Sequence, residues 1–193
     1  MSQIILASSS IYRKELLQRI LAEFKVINPN VDETKIKSEN AYQSAERLAE
    51  EKAQKISNKF KEAIVIGCDQ TAEYNEIQIE KPLNFKSAFS QLKKLSGKKV
   101  NFHSAVCICN FNEKISLKKV ISFNVKYKDL SSIEIENYLK QEKPFNCVGS
   151  IKSEGLGITL LDEINSNDPT AIIGLPLITL TDMLKKVGIN ING

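Results

Sequence analysis

Apolar runs and apolar stripes alternate along the chain, and their spacing predicts most of its elements. Ile4-Ile5-Leu6-Ala7 is a short apolar run halted by Ser8-Ser9-Ser10, the pattern of a buried strand entering a tight polar turn. Leu16, Leu17, Ile20, Leu21 and Phe24 then recur at helical spacing, with Ser10 as N-cap. A second helix, from about Tyr42 to Lys59, has its stripe at Ala45, Leu48, Ala49 and Ile56. Ala63-Ile64-Val65-Ile66-Gly67-Cys68 is the clearest buried strand and runs directly into Asp69-Gln70. Lys81-Pro82 precedes a third helix, with Phe85, Ala88, Phe89, Leu92 and Leu95 on one face and Ser96-Gly97 at its end. Val100–Phe111 and Val120–Tyr127 both alternate and read as antiparallel neighbours. Ser131-x-x-Glu134 is a capping-box signal for a helix reaching about Gln141. Asp168-Pro169 marks a turn, and Gly174-Leu175-Pro176-Leu177 leads into a last helix closed near Gly188. This order predicts an α/β fold with a mixed central sheet flanked by helices.

Composition narrows the class. The 193 residues, 42% hydrophobic and 26% charged, suit one globular domain over residues 1–193 rather than a disordered chain. Lys and Arg number 27 against 23 Asp and Glu, and the net charge of +4 does not by itself imply nucleic acid. Stretches free of Asp, Glu, Lys and Arg, such as Val100–Asn112, are too short to span a membrane. The N-terminus lacks a basic segment followed by a long apolar run, so the expected compartment is the cytoplasm. Cys68, Cys107, Cys109 and Cys147 show no metal-finger spacing and read as small buried hydrophobes. Cys107 and Cys109 share one face of a strand, where regular geometry holds side chains about 6.5–7 Å apart, too far for a disulfide.

Several positions break the apolar pattern in chemically suggestive ways. The serine turn with Arg13 offers hydroxyls, backbone N–H groups and a positive charge at a helix start, which suits an anion as well as a plain exposed turn. Lys52 falls on the core-facing stripe of its helix, a place lysine occupies when it is paired or points into a cleft, the plain alternative being a stem that snorkels to the surface. Asp69 closes the best strand, where ligands gather in open α/β sheets, although an ordinary turn aspartate fits the same place. The six lysines of Lys81–Lys99, without an acidic residue, read as a solvated helix face rather than a nucleic-acid patch. His103 shows no partner spacing and reads as structural. The segment Asn146–Thr159 holds three of the chain's eight glycines, with Glu154 between a serine and a glycine where its carboxylate can lie over a pocket. Taken as a set, Ser8, Arg13, Glu33, Lys52, Asp69 and Lys81 suit a phosphate-rich substrate: bases neutralise phosphates, carboxylates hold Mg²⁺, and a carboxylate activates water. A Walker loop is absent.

In their order along the chain these segments resemble the Maf family, the septum-formation-inhibitor-like nucleoside triphosphate pyrophosphatases. The resemblance runs from Ile4 to about Val187. It is carried by Leu6-Ala7-Ser8-Ser9-Ser10 with Arg13 and Glu15-Leu16-Leu17, Val31-Asp32-Glu33, Glu51-Lys52-Ala53, Gly67-Cys68-Asp69-Gln70, Lys81-Pro82, Leu95-Ser96-Gly97 and Gly174-Leu175-Pro176-Leu177. It implies a mixed sheet in two lobes with a nucleotide cleft, and hydrolysis of a nucleoside triphosphate to monophosphate and diphosphate with Mg²⁺ or Mn²⁺. Asp69 matches the family's proton acceptor, and Ser8, Arg13, Glu33, Lys52 and Lys81 match its polar cleft positions; Ser8, Arg13, Lys52 and Lys81 are expected to face the phosphates, and Glu33 and Asp69 to hold the metal. Tyr12, Gln70 and Glu154 look like the branch associated with 7-methyl-GTP rather than the dTTP/UTP branch, which has Arg, Thr and Gln there. An aromatic ring can stack on the cationic N7-methylguanine for about 0.5–2 kcal/mol. A carboxylate can accept from the guanine N1–H and N2–H₂ edge. Ile11 stands where the family has proline, and Ser104-Ala105 replaces a Thr-Gly pair. The partner implied is a small-molecule nucleotide, with no nucleic acid and no membrane; a homodimer is the one assembly considered. The rival readings are a dTTP/UTP or broad-specificity pyrophosphatase and, from another class, a nucleic-acid-binding or cell-division regulatory protein.

Overall fold

The structure is a computed structural model that describes residues 3–191; Met1, Ser2, Asn192 and Gly193, the ends of the expected 1–193 domain, lie outside the described residues. Its seven strands form one mixed sheet in the order β2-β1-β3-β5-β6-β7, with β4 paired to β3. The strands are β1 (Ile4–Ala7), β2 (Lys25–Ile27), β3 (Ile64–Tyr74), β4 (Ile77–Ile79), β5 (Lys99–Asn110), β6 (Ile115–Tyr127) and β7 (Leu161–Asn165). The helices are α1 (Ile11–Gln18), α2 (Ala41–Ser57), α3 (Phe85–Leu95), α4 (Ser132–Glu142) and α5 (Leu177–Lys186). The chain divides into two compact units. The first comprises the chain up to Gln70, Ser104–Ile121 and the chain from Asp168 on; the second comprises Thr71–His103 and Ser122–Asn167.

In the first unit β1 pairs in parallel with both β2 and β3, in the register Ile4↔Ile64 to Ala7↔Gly67 with β3. Side chains alternate across a strand, so each run feeds two cores. Leu6, Ile64, Ile66, Val106 and Ile108 pack with Leu16 and Leu17 of α1 and Leu180 and Leu184 of α5. Ile5, Ala7, Val65, Ala105 and Cys107 pack with Ala45, Ala49, Ala53 and Ile56 of α2. Helix α2 starts on a reciprocal capping box: Gln43 N–H donates to Asn40 Oδ1 at 2.9 Å, and Asn40 N–H to Gln43 Oε1 at 3.1 Å. Helix α5 has no side-chain cap from its own N-cap, Pro176. Its first N–H groups are met from upstream, Leu177 N–H donating to Thr170 Oγ1 at 2.8 Å and Thr179 N–H to buried Asp168 at 2.9 Å.

In the second unit Asn75 and Glu76, both at positive φ, turn β3 into β4. Helix α3 packs against α4, and Phe102 stacks on Phe123 with ring centroids 5.5 Å apart. The Ser131–Glu134 capping box forms, with Glu134 N–H donating to Ser131 Oγ at 3.2 Å and Ser131 N–H to Glu134 at 2.8 Å.

Three local expectations are corrected. Helix α1 stops at Gln18 because Arg19 and Ile20 N–H bond three residues back, to Leu16 and Leu17, which tightens the last turn. Ile20, Leu21 and Phe24 still pack on the core from the turn that follows. Strand β3 does not end at Cys68: it runs on to Tyr74, where Ala72–Tyr74 pair with β4. β2, β4 and β7 are too short or too polar to announce themselves, and register with a neighbour makes them strands. The Cys107 and Cys109 thiols are free, with their sulfurs 3.6 Å apart.

Candidate active site

β1 ends at Ala7 opposite Gly67, while β3 continues two residues further to Asp69, so Asp69 lies just beyond the carboxyl end of its parallel neighbour. The expectation that Asp69 closes its own strand is corrected: β3 runs on to Tyr74, and Asp69 lies within it, beyond the end of β1 only. The core stripe of α2 brings Lys52 to the same place. A Cβ on Gly67 would collide with the Ala49 carbonyl oxygen and lie 2.6 Å from Ala53 N, so the missing side chain lets the α2 backbone rest on the strand. Lys52 and Asp69 are 5% and 6% exposed, and Lys52 Nζ donates to Asp69 Oδ1 at 2.6 Å.

The same ammonium lies 2.6 Å from Glu33 Oε1, so two carboxylates share one cation. Burial alone would depress the Lys52 pKa and nearby Arg13 adds to that, but the Asp69 and Glu33 carboxylates outweigh both and raise it. Lys52 is therefore charged across the neutral range. Its place on an apolar stripe is explained by pairing rather than by reach to the surface.

Arg13 sits in the first turn of α1, where Ser10 caps the helix by accepting from Arg13 N–H. Its Nε donates to Gly174 O at 2.9 Å and its Nη1 to Cys68 O at 2.9 Å. The guanidinium thus braces the residue before Asp69. Gly174, at φ 103°, has a backbone that favours glycine, and a Cβ there would come within a tight 3.1 Å of Arg13 Nε. Buried Ser8 accepts the Ser10 N–H at 3.1 Å, and Tyr12 is half-buried beside Arg13.

Gln70 is held by its amide nitrogen. Nε2 donates to Ser104 Oγ at 2.9 Å, Ala171 O at 2.9 Å and Ile172 O at 3.0 Å. A carboxamide has two N–H hydrogens for these three acceptors, so what it has left for a ligand is its Oε1 acceptor. Ser104 Oγ in turn donates to Ala171 O at 2.6 Å. Serine at this family departure thus keeps the hydroxyl that orients Gln70.

Lys81 and Glu154 belong to the second unit. Lys81 is exposed before Pro82, and Leu83 N–H donates to Phe145 O at 2.8 Å, which fixes the following turn. Glu154 is exposed in the loop between α4 and β7, and the partial burial of its carboxyl raises its pKa. His103, expected to be structural and without partner spacing, has partners from the neighbouring strands: Nδ1 is 2.8 Å from Ser122 Oγ and Nε2 is 3.5 Å from Glu73 Oε1. Burial lowers its pKa, and Glu73 only partly offsets that.

Among the described residues no three His, Cys, Asp or Glu side chains are grouped to hold a metal ion. The donor chemistry of Glu33 and Asp69 nevertheless fits a hard divalent cation of the kind bound by one or two carboxylates with substrate phosphates and water.

The model of Maf-like proteins matches residues 3–187. The chain belongs to the Maf family. Several of its curated relatives are named 7-methyl-GTP pyrophosphatase, three of them as follows. That of Methylobacillus flagellatus is 45% identical over 99% of this chain and 100% of its own length. That of Nitrosospira multiformis is 44% identical over 98% and 96%, and that of Colwellia psychrerythraea 42% identical over 99% and 96%. A solved structure, the Ham1 protein of Staphylococcus aureus, overlaps 66% of this Maf chain and 73% of its own, at 14% identity and a TM-score of 0.48.

Two contacts have no signal in the local sequence: Ser104 stands out only as a departure from the family pattern, and the partners of His103 lie on other strands. Each contact joins segments far apart in sequence, which no local motif encodes.

Proposed function

We propose that the protein hydrolyses 7-methyl-GTP to 7-methyl-GMP and diphosphate, removing a modified nucleotide from the cytoplasmic pool. The full-length similarity to the three curated 7-methyl-GTP pyrophosphatases carries this reading, and the Lys52–Asp69 pair gives it a chemical centre.

The reaction needs water to attack the α-phosphorus and the bridging P–O bond to the β-phosphate to break. Lys52 holds Asp69 through Oδ1, which leaves Oδ2 to accept the proton of the attacking water. Arg13 and Lys52 offset phosphate charge, Ser8 offers a hydroxyl, and Lys81 supplies a further cation. Glu33 and Asp69 would hold Mg²⁺ or Mn²⁺, which when bound neutralises the charge of the phosphates. By the family resemblance, Tyr12 would stack on the methylated base, Glu154 would accept from its N1–H and N2–H₂ edge, and Gln70 would present Oε1.

The test is diphosphate release from GTP, 7-methyl-GTP, dTTP, UTP, CTP and ITP with Mg²⁺ or Mn²⁺, with Asp69→Asn beside the wild type. Preference for 7-methyl-GTP is expected, with kcat lowered by roughly 10²–10⁴ in the variant. Preference for UTP and dTTP would discard the roles of Tyr12, Gln70 and Glu154. No Asp69-dependent release from any of them would overturn the reading.

A further inference from the structure

We infer that Glu142 is a positioning residue for substrate selection: one carboxylate at the end of α4 sets the loop that presents Glu154. The inference rests on the proposed role of Glu154 in reading the purine.

The loop is tied to Glu142 on both sides of Glu154. Leu156 N–H donates to Glu142 Oε1 at 3.0 Å, and Lys152 Nζ lies 2.9 Å from Glu142 Oε2. These ties, the Leu156 N–H first, hold the Glu142 carboxyl below its ordinary pKa, so both persist through the neutral range. Between them, Gly155 brings its backbone so close that a Cβ there would lie 2.6 Å from Glu142 Oε1. The Gly155 and Gly157 N–H groups both donate to Lys152 O, at 3.1 and 3.0 Å, which closes the loop on itself.

Tyr138, one turn earlier on α4, fixes the approach to the loop. Its hydroxyl accepts Lys152 N–H at 3.0 Å and donates to Ser150 O at 3.1 Å. Glu154 therefore sits on a short loop whose two flanks share one anchor. A misplacement of about 1 Å in a positioned group can cost about 10²-fold in rate, so the anchor has a direct route to selectivity.

The experiment compares wild type, Glu142→Ala, Glu142→Gln and Gly155→Ala by two readouts. The first is the ratio of kcat/KM for 7-methyl-GTP to that for GTP; the second is hydrogen exchange at the Leu156 amide. In Glu142→Ala the ratio is expected to fall by about tenfold and Leu156 to exchange faster. Glu142→Gln keeps an acceptor for Leu156 N–H and should recover part of the ratio. Gly155→Ala, which strains the same contact from the loop side, should reproduce the fall even if α4 tolerates Glu142→Ala poorly. In a Glu154→Gln background Glu142→Ala should change the ratio no further, an interdependence that general loss of stability would not produce.

Equal losses on both nucleotides in Glu142→Ala, or unchanged exchange at Leu156, would overturn the inference. A wild-type enzyme with no preference for 7-methyl-GTP would overturn the reading of Glu154 and with it any role in selection. The exchange rate still reports the staple in that case, so the two failures are distinguishable.

Discussion

Asp69 and Glu154 are both carboxylates that stand out in the sequence, yet the fold holds them by different means. Asp69 lies on a strand between apolar layers, 6% exposed, beside a helix whose backbone rests on Gly67. Its partner ammonium is equally buried, and the residue before it is braced by Arg13. Glu154 is exposed, and its loop is fixed by side chains that bond to loop backbone: Glu142 to Leu156, Tyr138 to Lys152 and Ser150, and Tyr127 to Gly149 at 3.0 Å. The first arrangement suits a group that must keep one position. The second suits a loop whose shape can change by substitution without disturbing a core.

The sharpest way to break this contrast is to unpair the buried site. Lys52→Met leaves Asp69 without its cation in an apolar frame, and removing one partner of a buried ion pair costs about 3–5 kcal/mol. Denaturant unfolding should show that loss, and the double variant with Asp69→Asn should recover a large part of it. A change below about 1 kcal/mol would mean that the pair is solvated and the contrast false.

Tyr138→Phe tests the other side. It removes a hydroxyl that both donates and accepts, leaving two backbone groups to find water, and should cost about 1–3 kcal/mol. Faster hydrogen exchange is expected at Lys152, with kcat on the preferred nucleotide reduced less than by any change at Asp69. A loss of kcat as large as that of Asp69→Asn would erase the distinction between the two regions.

The smallest effect is a pH dependence. Burial depresses the His103 pKa in the folded state, so below the ordinary histidine value of about 6.5 the unfolded chain binds a proton that the folded chain refuses. Stability contributed by neutral His103 is complete above that value and is lost as pH falls through it towards the folded pKa. His103→Gln should flatten the slope of unfolding free energy against pH in that window. An unaltered slope would show that Glu73 fully compensates for burial.

Much of the frame could be read in advance because it rests on local repetition. The apolar runs Ile4–Ala7 and Ala63–Cys68, the stripe of α2 and the two capping signals at Ser10 and Ser131 each depend on residues a few positions apart. Lys52 and Asp69 stood out because each violates its local pattern. What could not be read arises from contacts across long separations. The length of β3 depends on its hairpin with β4, the thiols of Cys107 and Cys109 approach further than side-chain spacing suggests, and Gln70 is oriented by Ser104 and the Ala171–Ile172 carbonyls.

Sequence alone determined which residues are apolar at which period, where helices begin, and which charges interrupt the pattern, since propensity and periodicity act over a turn or a pleat. Tertiary structure decided which of those charges meet. Lys52 finds Asp69 and Glu33 only because Gly67 admits the α2 backbone, and Glu142 reaches both flanks of Glu154 only because Gly155 leaves it room. A buried charge needs a partner within hydrogen-bonding distance, and packing, not order along the chain, brings that partner within reach.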